Sequence, residues 1–141
     1  FDGKLTDRIA EVLKLLGAEH AMIVHGNDGL DEISTTDATK YTELTPDGVI
    51  HSGMLTPLDF GLPVSSPESL LGGEPSENAE IIHSIFDGEK GSPRDIIVIN
   101  AAAGIKVGGK VKSLTDGIKL AEESIDSGSA KNVIQSLAAV K

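Results

Sequence analysis

The sequence predicts an α/β fold: a partial mixed β-sheet, made of one buried strand plus a hairpin, covered by helices. Three observations predict it. The run Ala21 to His25 (AMIVH) is short, apolar and rich in β-branched residues, with Gly17 behind it and Gly26-Asn27-Asp28-Gly29 ahead. Residues 38 to 53 alternate loosely about Thr45-Pro46-Asp47-Gly48. From residue 56 onward, hydroxyl and proline pairs announce one helix start after another. Three strands cannot easily give so many helices two sheet faces to cover, so part of the sheet is expected elsewhere in a longer chain.

Each element has a local reason. Leu5, Ile9, Val12, Leu13 and Leu16 recur at helical spacing among Lys4, Asp7, Arg8, Glu11 and Lys14, and Gly17 supplies the stop. This predicts an amphipathic first helix. In Thr45-Pro46-Asp47-Gly48 the proline presets φ and the glycine suits the end of a β-turn, which predicts a hairpin. Thr56-Pro57-Leu58-Asp59 and Ser92-Pro93-Arg94-Asp95 place a hydroxyl at N-cap, Pro at N1 and an acid at N3. Ser66-Pro67-Glu68 and Ser113-Leu114-Thr115-Asp116 repeat the theme. Later apolar spacings fit helices over Ile81 to Phe86, Leu114 to Ile125 and Ala130 to Val140. Ile96 to Val107 alone is ambiguous between strand and helix. The upstream cap decides for helix, with Ala101-Ala102-Ala103 predicting one buried on most faces.

Composition excludes several function classes. The chain has 141 residues, with 12 Lys plus Arg against 22 Asp plus Glu, a formal net charge of −10 with His neutral. Nucleic-acid and anionic-membrane surfaces need clustered positive charge, so neither is an expected partner. With 39 % apolar and 24 % charged residues the chain is globular in composition, and it is expected to form one domain over residues 1–141. Aromatics are 3 %, too few for stacking platforms. The chain contains no cysteine, which excludes disulfides, thiol catalysis and Cys-built metal sites and fits a reducing cytoplasm. No apolar run approaches the roughly 20 residues of a membrane span, and the N-terminus has no signal-peptide pattern. The first residue is Phe1, not Met, so processing or truncation of a longer protein is expected.

The chemistry concentrates in HGNDGLDE, residues 25 to 32, where Asn27, Asp28, Asp31 and Glu32 crowd past the carboxyl end of the first strand. Ligands of open α/β sheets bind at that end. Mg²⁺ is held by one or two carboxylates, with waters and phosphate oxygens completing its octahedron, and Asp31 and Glu32 suit that task. Neighbouring residues in a flat strand point to opposite faces, so both can serve one ion only if the backbone turns, or if one acts through water. The other reading is a solvated turn in which Asp28 or Asp31 bonds the backbone. An EF-hand is excluded by its missing ligand alternation.

Other patterns carry less. Gly104 to Lys110 (GIKVGGK) approaches a phosphate-binding P-loop, but Val111 stands where the hydroxyl is needed, and Gly108 and Gly109 read as helix C-caps. Gly72-Gly73 reads the same way. His20, His25, His51 and His83 show no metal spacing and read as surface or hydrogen-bonded residues. No nucleophile elbow occurs.

HGNDGLDEIS resembles a segment of the anthranilate phosphoribosyltransferase family, in which a strand ends at His-Gly, Gly-Leu-Asp-Glu follows and Ser closes the turn. The resemblance runs along the chain. It includes the helix at 4–17, Gly72-Gly73 with Glu77-Asn78-Ala79, and Phe86-Asp-Gly-Glu-Lys-Gly91 through Asn100-Ala-Ala-Ala103. It implies the C-terminal portion of a nucleoside phosphorylase/phosphoribosyltransferase-like α/β domain. It also implies transfer of a phosphoribosyl group from phosphoribosyl pyrophosphate to anthranilate, in tryptophan biosynthesis. By resemblance Asp31 and Glu32 bind Mg²⁺ on the pyrophosphate, and the full-length enzyme is a cytoplasmic homodimer. The family's Gly-Thr-Gly-Gly-Asp loop and Lys-His-Gly-Asn segment do not occur in these residues. The N-terminal part of the same protein is therefore an expected partner, and the isolated chain is expected not to turn over. Two alternatives stand beside this reading: a divergent transferase or phosphorylase relative with another acceptor, and a non-catalytic binding domain on the same fold.

Overall fold

The computed structural model describes residues 2–140, in which one helix, three strands and four further helices follow in order. Helix α1 (Thr6–Leu15) is entered through a 3-10 turn at Gly3–Leu5, in which the Asp2 carboxylate accepts from the Lys4 amide. It ends where the sequence places the stop. Gly17 takes φ +85°, and the amides of Gly17 and Ala18 reach back to the carbonyls of Lys14 and Leu13.

Strand β1 (Ala21–Gly26) pairs antiparallel with β2 (Thr39–Leu44), which pairs antiparallel with β3 (Ile50–Leu55), giving the order β1-β2-β3. The predicted turn closes the hairpin: the Gly48 N–H donates to the Thr45 carbonyl at 2.8 Å, with Gly48 at φ +81°. Among the described residues β1 has a strand on one side only. It is therefore half-buried, where the sequence predicts a buried strand.

Register decides what each sheet face meets. Thr42 lies opposite Ser52 and Glu43 opposite His51, so successive β2 residues address different layers. The Thr42 hydroxyl lies 3.0 Å from that of Thr6 and 2.7 Å from the Asp7 carboxylate, and Lys40 pairs with Asp7 at 2.8 Å. Glu43 points to the other face, toward the helical half. Helix α1 buries Thr6 and Ala10 against the Thr42 face, on which Leu44 is also buried. Val12 and Leu16 of the predicted amphipathic pattern, at 52 % and 77 % exposure, face outward, as does Leu15.

Helices α2 (Pro75–Phe86), α3 (Ser92–Val107), α4 (Leu114–Asp126) and α5 (Ser129–Ala138) build the second half. The starts at Thr56 and Ser66 produce single 3-10 turns, Pro57–Phe60 and Pro67–Leu70. Breakers lie too close for an α-helix: Gly61 takes φ +70° after the first, and Gly72-Gly73 follows the second. Ser113 caps α4 as predicted, accepting from the Asp116 amide at 3.1 Å. At α3 the start moves by one residue. The Gly91 carbonyl accepts from the amides of both Arg94 and Asp95, so Ser92 is the first helical residue and not the cap.

Helix α3 settles the ambiguous stretch. It ends in paired bonds, from the Lys110 amide to Ile105 and from the Gly109 amide to Lys106, with Gly109 at φ +71°, so GIKVGGK is a helix terminus. Ile85, Val98, Ala102, Ile118, Ala121 and Ile125 form the core between α2, α3 and α4. Ala102 is fully buried, but Ala101 and Gly104 are exposed, so α3 is not covered on most faces.

Candidate functional site

The chain leaves β1 at Gly26 and turns at once. The Gly29 amide donates to the Gly26 carbonyl, the Gly26 amide donates to the Leu30 carbonyl, both at 2.9 Å, and Gly29 takes φ +96°. Asp28 organises this turn. Its carboxylate accepts from the Leu30 amide at 3.1 Å and from the hydroxyls of Ser34 and Thr36. Burial pushes its carboxyl up, but the Ser34 and Thr36 hydrogen bonds outweigh burial and hold it below the ordinary aspartate value. The turn-forming role expected of Asp28 or Asp31 therefore falls to Asp28.

Asp31 and Glu32 stand apart from that network. The backbone bends at both residues, leaving Asp31 exposed and Glu32 half-buried. Among the described residues neither carboxylate accepts a hydrogen bond or meets a cation. Burial pushes the Glu32 carboxyl up, and the charges of Asp31 and Asp28 push it further. Glu32 lines a cleft of about 260 Å³ together with Leu71, Gly72, Asn78, Ile81 and Ile96.

Gly72 and Asn78 in this cleft correct the reading of Gly72-Gly73 as helix C-caps. The Asn78 side chain accepts from the Gly73 amide at 2.9 Å and donates to the Gly73 carbonyl at 3.0 Å. A Cβ on Gly72 would lie 2.5 Å from the Asn78 oxygen, and one on Gly73 would collide with Glu77, which caps α2 together with Glu74. These glycines make room for side chains that begin a helix.

Immediately after Glu32, Ile33 is held by Asn100 of α3. Its side-chain oxygen accepts from the Ile33 amide at 2.8 Å, and its nitrogen donates to the Ile33 carbonyl at 2.9 Å. Asn100 enters the sequence reading only within a motif quoted for its resemblance, without a role. Elsewhere, His20 and His51 converge on Glu43 at 2.9 and 3.3 Å, a grouping that their spacing does not reveal. His83 is exposed. Among the described residues no group of three or more His, Asp or Glu side chains forms a complete metal cage.

The family model described as "Glycosyl transferase family, a/b domain" matches residues 1–131. The chain belongs to this family. As a glycosyl transferase α/β domain it is 52 % identical over 130 residues to the anthranilate phosphoribosyltransferase of Acetivibrio thermocellus, a match covering 92 % of this chain and 37 % of that relative. To the anthranilate phosphoribosyltransferase of Myxococcus xanthus it is 44 % identical over 137 residues, covering 97 % of this chain and 40 % of the relative. Solved anthranilate phosphoribosyltransferases share the fold. That of Thermus thermophilus superposes with a TM-score of 0.81 at 33 % identity, over 96 % of this chain and 40 % of that one. That of Saccharomyces cerevisiae, in complex with PRPP and Mg, superposes with a TM-score of 0.84 at 27 % identity, over 96 % and 39 %. This glycosyl transferase domain thus spans about two fifths of the length of these relatives.

Proposed function

We propose that this chain is part of the α/β domain of an anthranilate phosphoribosyltransferase, that residues 1–141 act there as one domain, and that Asp31 and Glu32 hold Mg²⁺ against the pyrophosphate of phosphoribosyl pyrophosphate. The complete protein would join C1 of the ribose to the amine nitrogen of anthranilate, which releases one proton, while the bond from C1 to pyrophosphate breaks and its electron pair leaves with pyrophosphate. On this reading it serves tryptophan biosynthesis in the cytoplasm, as a homodimer.

One observation carries the proposal: the division of labour within a single loop. Asp28 is occupied by the turn, while Asp31 and Glu32 stand close enough to feel each other's charge and, among the described residues, have no hydrogen bond or cation. Such a pair is unfavourable by itself, and a divalent cation reverses the sign of its interaction. Two carboxylates without a third protein ligand suit Mg²⁺, which keeps several waters and takes phosphate oxygens. When bound, Mg²⁺ would supply positive charge where negative charge grows on the departing pyrophosphate. The carboxylates act by charge, not as bases, and Asp28 keeps the backbone bent so that neighbours in sequence address one ion.

The test is Asp31→Asn and Glu32→Gln in the complete enzyme, across a Mg²⁺ titration. Each is expected to lower turnover by roughly 10² to 10³, with partial recovery at high Mg²⁺. Wild-type kinetics throughout the titration would return the acidic loop to a solvated turn.

A further inference from the structure

Resting on the metal reading of Asp31 and Glu32, we infer that Asn100 is a positioning residue for that loop: its carboxamide clamps both backbone polar groups of Ile33 and sets the bend that turns the two carboxylates toward one ion.

The geometry leaves Asn100 little freedom. Its nitrogen donates both to the Ile33 carbonyl and to the Ile96 carbonyl one helical turn earlier, each at 2.9 Å, and its oxygen accepts from the Ile33 amide at 2.8 Å. Both N–H donors and one acceptor lone pair are thereby used. The bond to Ile96 ties the side chain to its own helix, and the two bonds to Ile33 fix the position and rotation of that residue's backbone. A single bond would fix position alone. Ile33 is itself buried, as is Ile99 beside Asn100, so both ends of the clamp sit on packed residues. Glu32 precedes Ile33 directly, and Cα atoms are about 3.8 Å apart, so any shift at Ile33 reaches the carboxylate.

Helix formation does not explain the residue. Asn is a poorer helix former than Ala, and position 100 opens onto Ala101-Ala102-Ala103. Among the described residues no other side chain of the helical half hydrogen-bonds the loop between β1 and β2. Groups that orient metal ligands from behind typically change metal affinity by 10- to 100-fold when removed.

The experiment uses the complete enzyme with Mn²⁺ and inorganic pyrophosphate as probes, read by electron paramagnetic resonance, together with hydrogen exchange of the Ile33 amide. Asn100→Ala is expected to speed that exchange and to weaken Mn²⁺ binding about tenfold or more. Asn100→Asp keeps the acceptor for the Ile33 amide but removes both donated bonds. Its added negative charge would strengthen cation binding if charge alone mattered, so weakened binding in this variant reads geometry. Ile125→Val, a core trimming in α4 away from the clamp, is expected to lower the melting temperature and to leave Mn²⁺ affinity within about twofold. Unchanged Mn²⁺ affinity in both Asn100 variants, alongside faster Ile33 exchange and weakened binding in Asp31→Asn, overturns the positioning role and leaves the metal site standing. Unchanged Mn²⁺ binding in Asp31→Asn overturns the metal site, and this inference with it.

Discussion

The ammonium of Lys106 lies 2.5 and 2.6 Å from the two carboxylate oxygens of Glu43, tying α3 to the middle strand of the sheet. Glu43 is 3 % exposed and also meets His20 and His51. Burial pushes its carboxyl up, but the Lys106 and His20 hydrogen bonds prevail and hold it below the ordinary glutamate value. A carboxyl lowered on folding adds stability above its unfolded pKa, about 4.3, and that stability fades as pH falls through the lower folded value. Resistance to urea is therefore expected to fall below about pH 4.3. Lys106→Met leaves a buried carboxylate short of its cation and is expected to cost about 3 to 5 kcal/mol at pH 7. A wild-type urea midpoint in that variant would remove the pair from the account of stability.

Two glycine substitutions in helices are expected to move stability in opposite directions. Alanine is favoured over glycine in a helix by about 1 kcal/mol. Gly104→Ala in α3 meets nothing within 4 Å and is expected to raise the melting temperature. At Gly117 of α4 a Cβ would lie 2.7 Å from the Ala102 carbonyl oxygen, so the helices must separate. Gly117→Ala is expected to destabilise by about 1 to 3 kcal/mol, as overpacking does. Calorimetry of both proteins checks the sign, and equal stabilisation would mean that α3 and α4 do not approach so closely.

Asp28 and Asp31 are expected to respond differently to neutralisation. Asp28→Ala takes an acceptor from Ser34, Thr36 and the Leu30 amide and should cost about 1 kcal/mol. Asp31→Asn removes charge from an exposed carboxylate with no hydrogen bond among the described residues and should change stability by no more than about 0.5 kcal/mol. Chemical unfolding separates the two, and an equal loss in both would show Asp31 to be a turn residue as well.

The isolated chain is expected to associate. Leu15, Leu16 and Leu71, the last 72 % exposed, present apolar surface, and among the described residues β1 offers an unpaired edge. Light scattering and a hydrophobic dye test this directly. A monodisperse monomer that excludes the dye and melts cooperatively would contradict it.

Much of the secondary structure was legible because its causes are local. Gly17 stops α1, Thr45 to Gly48 close the hairpin and Ser113 caps α4, through hydrogen bonds that span five residues or fewer. The same locality misled where a start had no room to propagate. Thr56-Pro57 and Ser66-Pro67 carry sound capping residues, yet each begins only one 3-10 turn because glycine follows so soon. The acidic loop was equally legible as a place, since HGNDGLDE follows a strand end in the sequence itself.

By itself the sequence determined the element order, the family resemblance and the clustering of Asp28, Asp31 and Glu32 after β1. Tertiary structure decided which face α1 buries, with Thr6 and Ala10 turned to the sheet and Val12 and Leu16 left exposed. It decided that Asp28 serves the turn while the other two acids have no partner among the described residues, and that Asn100 grips Ile33, 67 residues away. It also gathered His20, His51 and Lys106 around Glu43. The physical reason is the range of the interactions: a cap or turn depends on a few consecutive dihedrals, whereas a side chain's distant partner is set only when whole elements pack.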